Sequence, residues 1–362
     1  MTATSEAHMA RAIELARGAA GRVSPNPPVG AVLVRDGVTV GEGATQPPGG
    51  PHAEAVALAQ AGAEAKGAEL YVTLEPCAHH GRTPPCTDAL IAAGIARVHV
   101  AAPDPAPHTD GRGIAALEGA GIGVMLEESA AATELVEAFA KHVSTGLPFV
   151  TAKFAMSLDG KLATRAGDAR WISGEASRRR AHGLRAQADA VMVGIGTALA
   201  DDPRLTARDA DGAPDRQPLR VVVDSAGRLP ADAAMLAEPG ATLVAVAAKG
   251  RGKALAEAGA EVVALPGAGG RVDLGALLAA LGVRGVVSVL VEGGAELLGA
   301  LFDGGHVDKV VAFIAPVVIG GSDAPSAVGG RGSERLADAL RLRDVRYEPI
   351  DGDLMVVGYP EP

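Results

Sequence analysis

The feature that most limits how this 362-residue chain can fold is its alternation of short β-favouring apolar runs with helix-prone stretches. Residues 30–34 (GAVLV) form an apolar run closed by the turn dipeptide Asp36-Gly37. Residues 54–62 are alanine-rich and helix-prone, 70–74 (LYVTL) favour a strand, 87–93 a helix and 97–101 (RVHVA) another strand. Strands separated by helices predict a three-layer α/β domain with a mixed or parallel sheet. The pattern pauses at residues 144–148 (STGLP) and resumes at Phe149. This predicts two domains, 1–145 and 146–362, as the length also suggests. Further strands are expected at 149–155, 190–193, 219–223, 242–247, 286–291 and 309–314. Their nearly continuous Val/Ile/Leu character suits a sheet covered by helices on both faces. Residues 209–217, rich in Asp, Gly and Pro, read as a surface loop.

The chemistry is concentrated in two short motifs, Pro51-His52-Ala53-Glu54 and Glu75-Pro76-Cys77 through Pro84-Pro85-Cys86. They bring one imidazole, a carboxylate and the only two cysteines of the chain. His52, Cys77 and Cys86 offer three protein ligands to a zinc ion and leave the fourth tetrahedral position for water. Glu54 is the expected proton shuttle of a hydrolytic deamination, taking a proton from the attacking water and delivering protons to the departing amine. Residues i and i+2 of an ideal helix lie about 200° apart, so His52 and Glu54 can share a site only if His52 sits at a helix start. Cys86, after Pro84-Pro85, reads as the opening of another helix, whose N-terminus favours thiolate. The alternative is a structural zinc site closed by His79 or His80, which leaves Glu54 without a role.

A formal charge of −10 and 2% aromatic residues argue against a general nucleic-acid surface. They do not exclude a small phosphorylated ligand. Two cysteines at ligand spacing fit a reducing compartment better than a disulfide. The N-terminal stretch, with Glu6, Arg11, Glu14 and Arg17, reads as an amphipathic helix and not a signal peptide. No apolar run approaches the roughly 20 residues of a membrane span. The expectation is a cytoplasmic protein.

The H-x-E and P-C pairs resemble those of the cytidine-deaminase-like superfamily, which commonly has P-C-x-x-C. Here eight residues separate the cysteines, in Cys77-Ala78-His79-His80-Gly81-Arg82-Thr83-Pro84-Pro85-Cys86, and Ser24-Pro25-Asn26-Pro27-Pro28-Val29-Gly30 precedes them. That longer version resembles the bifunctional deaminase/reductase family of riboflavin biosynthesis. The resemblance implies deamination of 2,5-diamino-6-ribosylamino-4(3H)-pyrimidinone 5′-phosphate at C2, with Asn26 on the base and His79, Arg82 and Thr83 near the sugar phosphate. A deaminase of nucleic-acid bases shares the zinc chemistry but leaves the C-terminal half unexplained. A non-catalytic zinc-stabilised nucleotide-binding module is the other alternative.

Two glycine-bearing turns follow expected strands in the second half, Val193-Gly194-Ile195-Gly196-Thr197 and Val291-Glu292-Gly293-Gly294. Neither is the G-x-G-x-x-G fingerprint of a Rossmann domain. Together with residues 153–161 (KFAMSLDGK), Trp171-Ile172-Ser173 and residues 201–206 (DDPRLT), they occur in the order found in the family's reductase domain. The resemblance implies a cytidine-deaminase-like α/β/α domain followed by a dihydrofolate-reductase-like α/β domain. The latter would pass a hydride from NADPH to the ribosyl C1′ and leave a ribityl chain. By motif, Ala155, Trp171, Thr197, Asp201, Ser225, Gly293, Gly294, Ala295, Glu296, Leu297, Leu298, Gly299 and Ala300 would meet the cofactor. Ala169, Arg185, Leu205, Arg208 and Glu292 would meet the substrate, Ala169 standing where relatives often carry a hydroxyl. Lys153, Ser157 and Asp159 are the acid–base candidates. Related enzymes imply a homo-oligomer, dimer or tetramer.

Overall fold

The computed structural model describes residues 3–81, 84–106, 109, 111–208 and 216–361. The chain divides into two compact units, Met1–Leu147 and Pro148–Pro362. The segment 209–215, within the expected surface loop, lies outside the described residues.

The first unit runs α1 (Ala3–Ala19), β1 (Gly30–Arg35), β2 (Val38–Ala44), α2 (Ala53–Ala61), β3 (Glu69–Val72), α3 (Cys86–Ala93), β4 (Arg97–Val100), α4 (Arg112–Gly119), β5 (Gly123–Leu126) and α5 (Ala130–Thr145). Its five strands form one sheet in the order β2-β1-β3-β4-β5. The first two pairings are antiparallel and the last two parallel, so the sheet is mixed. Glycines set how closely the helices approach. A Cβ on Gly30 would fall 1.9 Å from the Ala12 carbonyl oxygen of α1. On Gly43, paired with Ala31 in the next register position, it would fall 2.1 Å from the Ala53 carbonyl of α2. Successive strand residues face opposite sides, so α1 and α2 cover opposite faces and three layers result. Because the obstacle at Gly30 is backbone, Gly30→Ala is expected to destabilise this unit by about 3 kcal/mol. A urea titration followed by circular dichroism checks it; an unchanged midpoint would show that the helix can move away.

The second unit runs β6 (Phe149–Ser157), α6 (Glu175–Gln187), β7 (Ala190–Gly194), α7 (Ile195–Asp201), β8 (Leu219–Val223), β9 (Thr242–Val246), α8 (Lys253–Glu257), β10 (Glu261–Ala264), α9 (Leu274–Val283), β11 (Ser288–Glu292), α10 (Ala295–Asp303), β12 (Lys309–Ala315), β13 (Leu342–Ile350) and β14 (Asp353–Pro360). These make a nine-stranded sheet ordered β10-β9-β8-β7-β11-β6-β12-β14-β13. Strands β10 through β12 in that order are parallel, and β14 and β13 add antiparallel at one edge. Alternate residues separate onto two faces. Ala190, Met192, Val221 and Leu243 pack with Leu277 and Leu281 of α9 and Leu298 and Leu301 of α10. Val191, Val193, Val222 and Val244 pack with Ala198 of α7 and Leu255 of α8. Helices on both faces explain the unbroken apolar runs. Among the described residues, no helix is long and apolar enough to cross a membrane.

Candidate active sites

In the first unit, His52 is the N-cap of α2 with an extended backbone (φ −73°, ψ 164°). That resolves the opposed directions an ideal helix would give His52 and Glu54. Cys86 is the first residue of α3, and its amide donates to Cys77 Sγ over 3.4 Å. Cys77 follows the end of β3, where the Glu75 carboxylate is buried and ties the segment down. It accepts from the amides of Asp104, Gly111, Gly113 and Ile114 at 2.8–3.2 Å. Two of those donors lie in the first turn of α4, where a carboxylate also meets the positive end of the helix dipole.

His52 Nδ1 lies 3.3 Å from Cys86 Sγ and 3.7 Å from Cys77 Sγ. Bond lengths of about 2.0 Å to nitrogen and 2.3 Å to sulfur at tetrahedral angles require N···S separations of about 3.5 Å. The three ligand atoms lie within 4.8 Å of one another and so fit zinc. The two thiols share a proton: the Cys86 S–H holds Cys77 down at about 4, and the same bond, with burial, pushes Cys86 up. A dication is the natural replacement for that proton. Among the described residues neither His79 nor His80 belongs to this ligand group, so no fourth protein ligand closes it.

Glu54 is 4% exposed, and burial raises its carboxyl to about 6. It lines a cavity of about 280 Å³ together with His52, Cys77, Asn26 and His79. Arg82 and Thr83 lie outside the described residues. Thr45, Asp104 and, from α5, Phe139 and Val143 also line this cavity. The motifs do not point to them; only their place in the fold does.

The second site lies at the carboxyl ends of the parallel strands, where open α/β sheets hold ligands. An open cleft of about 1690 Å³ is lined by Ala155, Ala169, Trp171, Thr197, Asp201, Leu205, Arg208, Ser225 and the residues 292–297 and 300. Gly293 (φ 108°) and Gly294 (φ 74°) turn β11 into α10 in the left-handed region. A Cβ on either would come within 3.3 Å of Thr197 Oγ1. The amides of Ala295, Glu296 and Leu297 open the helix without intrahelical partners, as a phosphate cradle requires.

Leu298 and Gly299 are not among the lining residues. The Leu298 amide already donates to the Gly294 carbonyl, and its side chain is in the core. Gly299 instead admits the backbone of Gly329 and Gly330, which a Cβ would strike at 2.2–2.4 Å. Geometry therefore leaves only the first-turn amides of α10 open to the cleft.

Arg185, on α6, grips Glu292 with Nε and Nη2 at 2.5 and 2.8 Å and the Thr206 carbonyl with Nη1 at 3.2 Å. It lines the cleft already paired. Burial works against the Glu292 charge, but Arg185 and then Lys153 outweigh it and hold the carboxyl at about 2. Lys153 Nζ is 3.9 Å from Glu292, and burial lowers its ammonium pKa. The structure separates Lys153 from the other two acid–base candidates. Ser157 donates to Asp159, and Asp159 accepts from the Ile319 and Gly320 amides; neither lines the cleft. Leu205 holds φ 54° while buried, a strained conformation that the neighbouring contacts maintain.

A His/Cys/Cys group fit for zinc beside a buried carboxyl in one unit, and an open cleft at the strand ends of the other, suit an enzyme that pairs hydrolytic deamination with reduction. Known proteins agree. The family model for the cytidine and deoxycytidylate deaminase zinc-binding region matches residues 2–102, and that for the RibD C-terminal domain matches residues 148–356. The riboflavin biosynthesis protein RibD of Escherichia coli is 42% identical, over 98% of this chain and 99% of its own. That of Aquifex aeolicus is 41% identical, over 96% of each. The solved RibD of Acinetobacter baumannii superposes with a TM-score of 0.87 at 37% identity over 99% of both chains. The Thermotoga maritima diaminohydroxyphosphoribosylaminopyrimidine deaminase/5-amino-6-(5-phosphoribosylamino)uracil reductase gives 0.86 at 35%, again over 99% of both. The chain belongs to the RibD family, the bifunctional deaminase/reductases of riboflavin biosynthesis.

Proposed function

We propose that residues 1–145 hydrolyse the C2 amino group of 2,5-diamino-6-ribosylamino-4(3H)-pyrimidinone 5′-phosphate. Residues 146–362 then reduce the ribosyl group with NADPH, giving 5-amino-6-ribitylamino-uracil 5′-phosphate. The observation that carries the first step is the convergence of His52, Cys77 and Cys86 beside the buried carboxyl of Glu54. His52, Cys77 and Cys86 would hold the zinc, which supplies a water acidic enough to attack at neutral pH. Glu54 takes the proton of that water and gives it to the ring nitrogen beside C2. It then moves the second proton to the exocyclic nitrogen, which leaves as ammonia. Asn26, on the cavity wall, offers its amide to the base edge, and His79 faces the sugar phosphate. Arg82 and Thr83 complete that end by motif.

NADPH supplies the hydride for the second step. The Gly293–Gly294 turn and the first α10 amides would hold its pyrophosphate, and Ala155, Trp171, Thr197, Asp201 and Ser225, which line the same cleft, would meet the rest of it. Opening of the ribosyl ring at C1′ requires a proton on the ring oxygen. Lys153 is the candidate donor, because it lines the cleft and its ammonium is destabilised by burial. Glu292 keeps Lys153 and Arg185 in place, while Arg208, Ala169 and Leu205, which line the same cleft, would meet the ribosyl phosphate. The enzyme works in the reducing cytoplasm, where its two free thiols remain available as ligands, and assembles as a dimer or tetramer.

Cys86→Ser tests the zinc ligation. Metal analysis should find about one zinc per chain in the parent protein and most of it lost in the variant, since a neutral hydroxyl cannot replace a thiolate. Full zinc content in the variant would overturn the ligand assignment.

A further inference from the structure

The last helix of the first unit does two different jobs along one face. Ser129 caps the start of α5 by accepting from the Ala132 amide, and Gly146, in the left-handed region, ends it. Between them Ala132, Val136, Phe139 and Val143 recur at intervals of four, three and four residues, so they fall on the same face. The first half of that stripe is core. Ala132 is fully buried, Val136 is nearly so, and Leu135 packs with them in the apolar cluster that fills the unit.

The second half is not core. Phe139 and Val143 are half-buried, and among the described residues that cluster closes without them. They line instead the cavity that His52, Cys77 and Glu54 also line. A phenylalanine on the apolar stripe of a helix ordinarily fills a core, so its placement here is informative. The chain has five phenylalanines, three tyrosines and one tryptophan, and among the described residues Phe139 is the one of these nine on this cavity.

The chemistry of the site leaves a role for such a ring. Attack at C2, proton transfer by Glu54 and the Asn26 amide all concern the edge of a pyrimidine. Its two faces carry no hydrogen-bonding groups, so apolar or aromatic contact is what can hold them. The cavity, at about 280 Å³, is at the small end of ligand pockets, which leaves little room between a ring at the metal group and the walls. A ring laid on Phe139 would cover apolar surface that the fold leaves open. The matched zinc-binding region ends at residue 102, before α5 begins at Ala130, so this wall is separate from the part of the chain that carries the metal chemistry.

We infer that Phe139 is a substrate-binding residue of the deaminase, stacking its ring on the face of the pyrimidine, with Val143 one turn further on extending the same wall. The inference rests on the deaminase reading of this site. It gives α5 the task of holding the base while the metal group and Glu54 act on its edge.

Ammonia release by the full zinc-loaded chain is measured against the concentration of 2,5-diamino-6-ribosylamino-4(3H)-pyrimidinone 5′-phosphate for the parent, Phe139→Leu and Phe139→Tyr. Leucine keeps an apolar side chain of similar size and removes the ring; tyrosine keeps the ring. Phe139→Leu should raise KM about tenfold, the loss of one base–aromatic stack, and leave kcat within about twofold. Phe139→Tyr should stay within about threefold of the parent KM, because the stack survives. Zinc content and circular dichroism should match the parent in both variants. A parent-like KM in Phe139→Leu overturns the inference and leaves the deaminase reading standing. A fall in kcat at unchanged KM, or loss of zinc in Phe139→Leu, would make Phe139 a packing residue of the metal site and overturn it too. Equal weakening in the leucine and tyrosine variants would show that shape and not the ring matters, and overturns the stacking. Parent protein that releases no ammonia from this substrate overturns the deaminase reading and the inference together.

Discussion

Glu54→Gln is expected to lower ammonia release by at least 10²–10⁴-fold while zinc stays near one per chain. The amide has nearly the shape of the carboxyl, so the buried pocket around residue 54 should close as before. What it loses is the capacity to accept a proton from water and return it to the substrate. Zinc content should persist because the ligands are His52, Cys77 and Cys86, and Glu54 is not among them. The two measurements therefore separate chemistry from assembly. Ammonia release near the parent rate would remove Glu54 from the mechanism. Loss of zinc together with activity would make it a structural support of the metal site.

Lys153→Met is the second large effect, a 10²–10⁴-fold fall in NADPH oxidation on the deaminated intermediate. Ammonia release should be unaffected, since the metal group lies in the other unit. Methionine fills much of the volume of the lysine stem. Glu292 would not be stranded as a lone buried charge, because Arg185 still holds both of its oxygens. The loss should fall on kcat with little change in KM, as expected for a group whose contribution develops in the transition state. A rise in KM at unchanged kcat would make Lys153 a binding residue and leave the proton donor unassigned.

How much of this was legible beforehand depended on whether the signal was local. The strands with strong apolar runs, such as β1, β7 and β8, were readable because burial on both faces demands Val, Leu and Ala at nearly every position. Strand β2 was not, since its glycines look like turn residues in sequence. They are there because α2 presses its backbone against them. The edge strand β13, with Arg343, Asp344, Arg346, Glu348 and Pro349, carries no apolar period because most of it faces solvent. At the sites, the zinc ligands stood out because two cysteines in the whole chain bracket one motif. The run from Gly293 to Ala300 was readable as a glycine turn leading into a helix. Which of its amides are free depends on where α10 starts, and that leaves out Leu298 and Gly299.

The sequence by itself determined the ligand types, the presence of a carboxylate two residues from the histidine, two α/β domains and the family resemblance. Those are properties of residue identity and spacing. The tertiary structure decided that His52 caps its helix and so shares a site with Glu54. It decided that Arg185 is already committed to Glu292, and that Lys153 and not Asp159 lines the cleft. It also tied the loops after β8 and β10 together through the Val272 amide and Ser225 Oγ, although 47 residues separate the two in the chain. Such relations exist only once strands distant in sequence are neighbours in a sheet, because pairing and burial are set by that proximity and not by any local pattern.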